Sequence, residues 1–389
     1  MRRPTKKVTV LYGGAAVVAA AAAAVALTIP SGTPAHTAAA RDTTHAHVKL
    51  ISSSCEGPTG AAYVTDAGWD GFDAINTANC EEIQVYNVDD LQAGNFTDDT
   101  DYTSTDEGIA LRGDELYFAD TGTNTVSVID TATLNPNDYN PAETDIHVGF
   151  NPQELAVSPD GSQLWVADTG PQTHGAALSD IAVISTATDK VTATLRSDGT
   201  PLNVTFSPSG AEAYVLTDEG LFVYSTATDR VIAAVRGVGD PHGIAVSPDG
   251  STLYVTDTTD NTLKVISTRG YRVTGSIKVG DLPWSVVVSS DGKTAYVANP
   301  DSDTVSVIDT ATRTVTDTID VSGGPNSLAL TADGTQLWVT QITSAYVAVI
   351  NTSDNSVTGD VNLGYEGAQS SDGYGPQGIV LSTTPTPGS

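Results

Sequence analysis

The chain has 389 residues, with 47 Asp and Glu against 17 Lys and Arg, a formal net charge of −30 at pH 7. Taken alone, that length would suggest two or three domains. The charge speaks against nucleic acid and anionic lipid as partners, because phosphate binding needs clustered Lys and Arg; it favours solubility outside the cell, or cation binding by Asp-rich loops.

Arg2, Arg3, Lys6 and Lys7 precede an apolar, alanine-dominated stretch from Ala15 to Ile29, and Ala38-Ala39-Ala40 supplies a small-residue cleavage site. This order predicts an export signal over 1–40, a mature start at Arg41, and a secreted or cell-surface location. The alternative is an uncleaved anchor, but the apolar stretch is short for a spanning helix and no second span follows. Residues 41–60 form an N-terminal segment carrying Cys55. Cys80 is the other of the 2 cysteines, and an even count in an exported chain predicts one disulfide, with two buried thiols as the alternative.

From residue 61 onward, short runs of Val, Ile, Thr and Tyr are separated by Gly, Pro, Asp and Asn, with no sustained helical period. The clearest unit runs from Asp240 to Gly280. Ile244-Ala245-Val246 is a short strand, then Ser247-Pro248-Asp249-Gly250 matches a type I turn. Leu253–Asp257 is a second strand, and Asp260-Asn261 tolerates the left-handed backbone of a hairpin tip. Leu263–Ile266 and Arg272–Val279 complete four antiparallel strands, one propeller blade. The second-strand aromatic recurs at Tyr63, Tyr117, Trp165, Tyr214, Tyr254, Tyr296 and Trp338, at intervals of about 40 to 55 residues. A third-strand tag recurs with it, from Ile129-Asp130-Thr131 to Ile350-Asn351-Thr352. Seven copies predict an all-β, seven-bladed β-propeller over 61–382, followed by a short polar tail, 383–389.

The chain ends agree with that count. Pro376–Ser382 reads as a first strand with no second strand after it, and the copy around Tyr63 lacks a clear first strand. Joined, they make one blade and close the ring, which removes open sheet edges. Val48–Ser52 competes for the same place.

Tyr-Val-Thr-Asp at 63–66 and 254–257, Tyr-Val-Ala-Asn at 296–299, and the variants at 165–168 and 338–341 resemble the YVTN β-propeller repeat family. The resemblance covers most of the chain beyond the signal. It implies a surface-layer or secreted binding protein, and more distantly a lactonase-like propeller or a metal-dependent lyase. Fold alone does not carry function across.

Seven loops converging on one end of the channel make that face the expected site. The residue leading each first strand gives a ring of Glu107, Gln153, Leu202, His242, Trp284, Asn326 and Gln377, in which all but Glu107 follow a Pro. Capping of the channel is the bland reading of this ring, ligand binding the sharper one. A second ring ends the second strands: Asp66, Asp120, Asp168, Asp257 and Asn299, with Asp218 and Gln341 less regular. Oxygen ligands there suit Ca²⁺ or Mg²⁺; the alternative is turn chemistry, in which Asp and Asn bond nearby backbone amides. No haem-attachment, zinc-protease or nucleophile-elbow motif occurs.

Two functions follow. The first is an exported, monomeric binding propeller whose loop face takes an extracellular protein, a glycan or a small molecule. The second is a lactonase-like hydrolase or lyase, with Glu107 as metal ligand or base and His242 as acid or base around a divalent cation.

Overall fold

The computed structural model describes residues 60–66, 71–78, 81–87, 108–134, 143–170, 180–363 and 375–383. The predicted signal segment, Cys55, Cys80, Val48–Ser52, Glu107, the 171–179 loop and the tail from 384 lie outside those residues. All described residues belong to one compact unit, Ala46–Ser389.

The strands follow the repeat. The chain begins with β1 (Ala61–Asp66), β2 (Gly71–Asn76) and β3 (Glu81–Asn87). The second blade is β4 (Ile109–Arg112), β5 (Glu115–Asp120), β6 (Thr125–Asp130) and β7 (Glu143–His147). The third is β8 (Pro152–Val157), β9 (Gln163–Asp168), β10 (Asp180–Ser185) and β11 (Lys190–Arg196). The fourth is β12 (Pro201–Phe206), β13 (Glu212–Thr217), β14 (Gly220–Ser225) and β15 (Arg230–Val235). The fifth is β16 (Pro241–Val246), β17 (Thr252–Asp257), β18 (Thr262–Ser267) and β19 (Arg272–Lys278). The sixth is β20 (Val286–Val288), β21 (Thr294–Asn299), β22 (Thr304–Asp309) and β23 (Thr314–Asp320). The seventh is β24 (Pro325–Leu330), β25 (Gln336–Gln341), β26 (Tyr346–Asn351) and β27 (Ser356–Asn362). The last strand, β28 (Pro376–Ser382), returns to the first blade and pairs antiparallel with β1, Ala62 opposite Leu381 and Val64 opposite Ile379. The protein is a seven-bladed β-propeller with four antiparallel strands in each sheet.

The core consists of packing between blades. Seven apolar clusters each join residues of two neighbouring blades, and one of them joins the seventh blade, through Trp338 and Val349, to Ala62, Val64 and Ile379 of the first. The second-strand aromatics supply the bulk of this packing; Tyr63, Tyr117, Trp165, Tyr214 and Trp338 are among the largest fully buried side chains. Each polar tip needs a partner once buried. The residue two positions earlier lies on the same face of the strand. So Tyr117 donates to Glu115 (2.9 Å) and Tyr214 to Glu212 (2.7 Å). Trp165 donates to Gln163 and Trp338 to Gln336, each at 3.2 Å.

The third-strand tag also has a physical cause. The hydroxyls of Thr226, Thr268, Thr310 and Thr352 donate to the carbonyls of Gly210, Gly250, Gly292 and Gly334, at 2.6–2.8 Å. Those glycines close the turn between the inner and second strands. Gly250, for example, donates its N–H to the Ser247 carbonyl at 2.8 Å and adopts φ +72°. The tag therefore ties the third strand to the first turn across the second strand.

Candidate functional site: the channel mouth

The inner strands β4, β8, β12, β16, β20, β24 and β28 surround the channel, and the five that begin with Pro set that Pro against the end of the second strand. Pro152 pairs with Asp168, Pro241 with Asp257, Pro325 with Gln341 and Pro376 with Asp66. The two predicted rings therefore share one face. In the fourth blade the residue opposite Pro201 is Thr217, so Asp218 falls one place beyond the ring.

Five of these inner strands, β8, β12, β16, β24 and β28, carry an irregularity at the mouth. In β16, His242 and Gly243 together stand opposite Thr256, between the Pro241–Asp257 and Ile244–Val255 pairs. A bulge of this kind re-aims side chains next to a site. The Thr of the Tyr-Val-Thr repeat locks it: Thr256 Oγ accepts the Gly243 N–H (2.7 Å) and donates to the Trp284 carbonyl of the next blade (2.9 Å). Thr340 does the same between the Ser327 N–H (2.8 Å) and the Gln377 carbonyl (3.0 Å).

Because of the bulge, two successive residues of a blade reach the channel instead of one. His242, Gly243, Trp284, Ser285, Asn326, Ser327 and Gln377 line a mouth cavity of about 30 Å³, joined by Glu154 and Asn203. Of the predicted ring, His242, Trp284, Asn326 and Gln377 come together there. Gln153 and Leu202 do not line it; their places are taken by the next residues, Glu154 and Asn203, which a strict two-residue alternation assigns to the other side of the strand. The irregular register, not a composition signal, brings these two residues in.

The members of the ring pair across blades. The His242 and Trp284 rings stack with centroids 3.4 Å apart at 30°. Asn326 and Gln377 are buried, and the Asn326 amide nitrogen donates to the Gln377 carbonyl (3.2 Å) and side-chain oxygen (3.3 Å). Burial pushes the His242 imidazole down to about 3, only partly offset by its hydrogen bond to the Trp284 backbone. It is therefore neutral at ordinary pH, a flat uncharged ring hydrogen-bonded to the Trp284 backbone.

The second ring is engaged in backbone contacts. Asp120 accepts the Thr123 N–H at 3.0 Å. Asp257 accepts the Asp240 and Asp260 N–H groups (3.1 and 3.2 Å) and pairs with Lys264 at 2.8 Å. Burial pushes the Asp257 carboxyl up, but Lys264 and the backbone donors outweigh it, and the net shift is downward. Asn299 donates to the Thr304 carbonyl (3.1 Å) and Ser306 Oγ (3.0 Å). Gln341 accepts from Ser344 Oγ at 3.0 Å. Among the described residues, Asp168 accepts only the Gly149 N–H, at 3.1 Å. The Asp66 side chain is outside the described residues. Among those residues, no three His, Cys, Asp or Glu side chains gather as a metal site.

No protein-family model matches the chain, and no curated protein is similar to it in sequence. Solved structures are similar in shape. A functionally unknown protein from Desulfotomaculum acetoxidans aligns with TM-score 0.66 and 17% identity, over 83% of this chain and 98% of that one. Hydrazine synthase of Kuenenia stuttgartiensis aligns at 0.63 and 18%, over 81% and 99%. The dihydro-haem d1 dehydrogenase NirN, in complex with DHE, aligns at 0.58 and 13%, over 83% and 75%. At these identities the likeness is one of fold.

Proposed function

We propose that this chain is an exported binding propeller of the Tyr-Val-Thr-Asn repeat type, which engages an extracellular protein or glycan through the face around the channel mouth. The stacked His242–Trp284 pair carries this reading. It presents a half-buried aromatic surface at the mouth of the channel, and tryptophans in such positions dominate binding energy. The mouth cavity, at about 30 Å³, is far below the roughly 300 Å³ at which small-molecule pockets begin. Recognition on the face fits this geometry better than burial of a metabolite.

The test is a binding screen of the chain from Arg41 onward against a glycan array and a panel of purified cell-surface proteins. Trp284→Ala weakens a genuine hit at least tenfold, while Ile232→Ser, on the exposed outer strand β15, leaves it unchanged. If Trp284→Ala and removal of 171–179 both leave every interaction intact, the loop face is not the binding surface.

A further inference from the structure

In four blades the third residue of the outer strand is a Thr whose hydroxyl donates to a carbonyl of the strand inside it. Thr192 donates to Val183, Thr274 to Val265 and Thr358 to Val349, each at 3.1 Å, and Thr316 to Val307 at 3.3 Å. In β15 that place holds Ile232, 52% exposed, next to Val231 at 48%. From Val231 to Val235 the strand has no polar side chain, and among the described residues no strand lies beside its outer edge. Neighbouring edges are covered from the next blade: Arg313 reaches back to the Thr274 carbonyl of β19 (3.3 Å) and Asn355 to the Asp317 carboxylate of β23 (2.8 Å). Tyr271, at the corresponding place in the fifth blade, donates instead to Glu212 of β13 and passes β15 by. An apolar edge left open in this way is a template for another strand.

Charge selects the strand that fits. The outer strands of the third, fourth and fifth blades carry Lys190, Arg196, Arg230, Arg272 and Lys278 and no acidic residue. Those of the sixth and seventh carry Asp317, Asp320 and Asp360 and no basic residue. On a chain of net charge −30, the open edge is therefore framed by cations. Arg230 begins β15 and Arg236 follows it, the latter exposed although it pairs with Glu219 at 3.5 Å. Asp229, in the turn before β15, is half-buried. A second copy set antiparallel on β15 about a twofold axis would bring the two arginine ends together, and like charges directly opposite destabilise a strand pair. A segment with acidic ends complements them.

We propose that β15 is a docking edge, on which another protein lays an extended segment as a fifth strand of the fourth blade. The segment matches the 6 residues of β15, alternates apolar with small polar side chains, and is acidic at both ends. Main-chain hydrogen bonds supply the affinity, and Ile232, Val231 and the flanking arginines supply the selectivity. This edge lies on the outer rim, and its existence does not rest on the binding role proposed for the channel mouth.

Fluorescence anisotropy of the chain from Arg41 onward with fluorescein-labelled Glu-Val-Thr-Val-Thr-Val-Glu-amide tests it, with Lys in place of both Glu as the charge control. Saturable binding is expected, at least tenfold tighter than for the Lys-ended peptide, weakened by salt and untouched by Trp284→Ala. Ile232→Thr, which restores the residue of the four other blades, loosens it at least fivefold. Arg230→Glu shifts the preference toward the Lys-ended peptide, a gain that misfolding cannot mimic. Of two peptides N-methylated on alternate residues, one loses binding and the other keeps it, because successive N–H groups of a strand point to opposite edges. Absence of saturable binding, equal binding of the two peptides, unchanged binding in Ile232→Thr and Arg230→Glu, or indifference to N-methylation overturns the proposal. So does a chain that dimerises by itself in sedimentation velocity and disperses on Ile232→Thr, which gives the edge to a second copy.

Discussion

Asp168 and Asp257 occupy the same place in the third and fifth blades and behave in opposite ways. Asp257 has Lys264 beside it, and its proton is held more loosely than in a free carboxyl. Asp168 is fully buried, its Oδ1 has no hydrogen-bond partner among the described residues, and burial pushes its carboxyl up to about 7, with the nearby Asp180 charge adding to the shift. An unfolded Asp titrates near 4. Between about pH 4 and 7 the folded state therefore binds this proton and the unfolded state does not, so this group's contribution to stability falls as pH rises through that window and is flat above it. Asp168→Asn removes the ionisation. Its urea midpoint is expected to exceed that of the parent at pH 8, by roughly 2 to 4 kcal/mol in unfolding free energy, with the difference shrinking toward pH 4. A lower midpoint at pH 8 would show that the carboxylate is compensated in a way the static geometry lacks.

The glycines between elements serve different physical needs. Gly334 closes an inner turn at φ +70° with no atom near the place of a Cβ. Gly334→Ala is therefore expected to cost only the left-handed backbone strain, about 1 to 2 kcal/mol. Gly239, at φ +85°, lies against the Asp257 carboxyl, which a Cβ would overlap. Gly149 and Gly280 sit in the same way on Asp168 and Asn299. Each loop leading into these blades packs its backbone on the side chain that ends the second strand of that blade. Gly239→Ala is expected to exceed the Gly334→Ala cost by at least about 1 kcal/mol, since the clash adds to the strain. Chemical denaturation of the two single variants measures the difference, and equal losses would mean that the Asp257 loop yields freely.

The ring as a whole depends on its closing strand. β28 provides the inner strand of the first blade, Ile379 and Trp338 share the cluster that seals that blade to the seventh, and Gly378 donates to Thr65 Oγ at 2.9 Å. Deleting 376–389 exposes the edge of β1 and opens that cluster. Such a truncation is expected to lose cooperative unfolding, seen by circular dichroism and calorimetry, and to aggregate through the exposed edge. Retention of a single sharp transition would mean that the ring is held by its blade interfaces without the closure.

Strand number and blade count were legible in the sequence because they rest on repeated local chemistry, the aromatic spacing in seven copies and the Thr tag in six, and ring closure because the last copy ends on a first strand that the first copy lacks. The Glu or Gln two residues before Tyr117, Trp165, Tyr214 and Trp338 took on a meaning only through burial of the polar tips. The site was half legible. His242, Trp284, Asn326 and Gln377 follow a Pro and could be read directly, whereas Glu154 and Asn203 depend on register. A bulge is a property of two strands paired, so no single strand announces it, and it moved these two residues onto the channel wall. The split between Asp168 and Asp257 was equally invisible, since it turns on whether a lysine from the neighbouring strand reaches the buried carboxylate. Sequence determined what repeats, because repetition is local; tertiary structure alone decided which side chains meet at the axis, because that depends on how neighbouring strands and blades are set against one another.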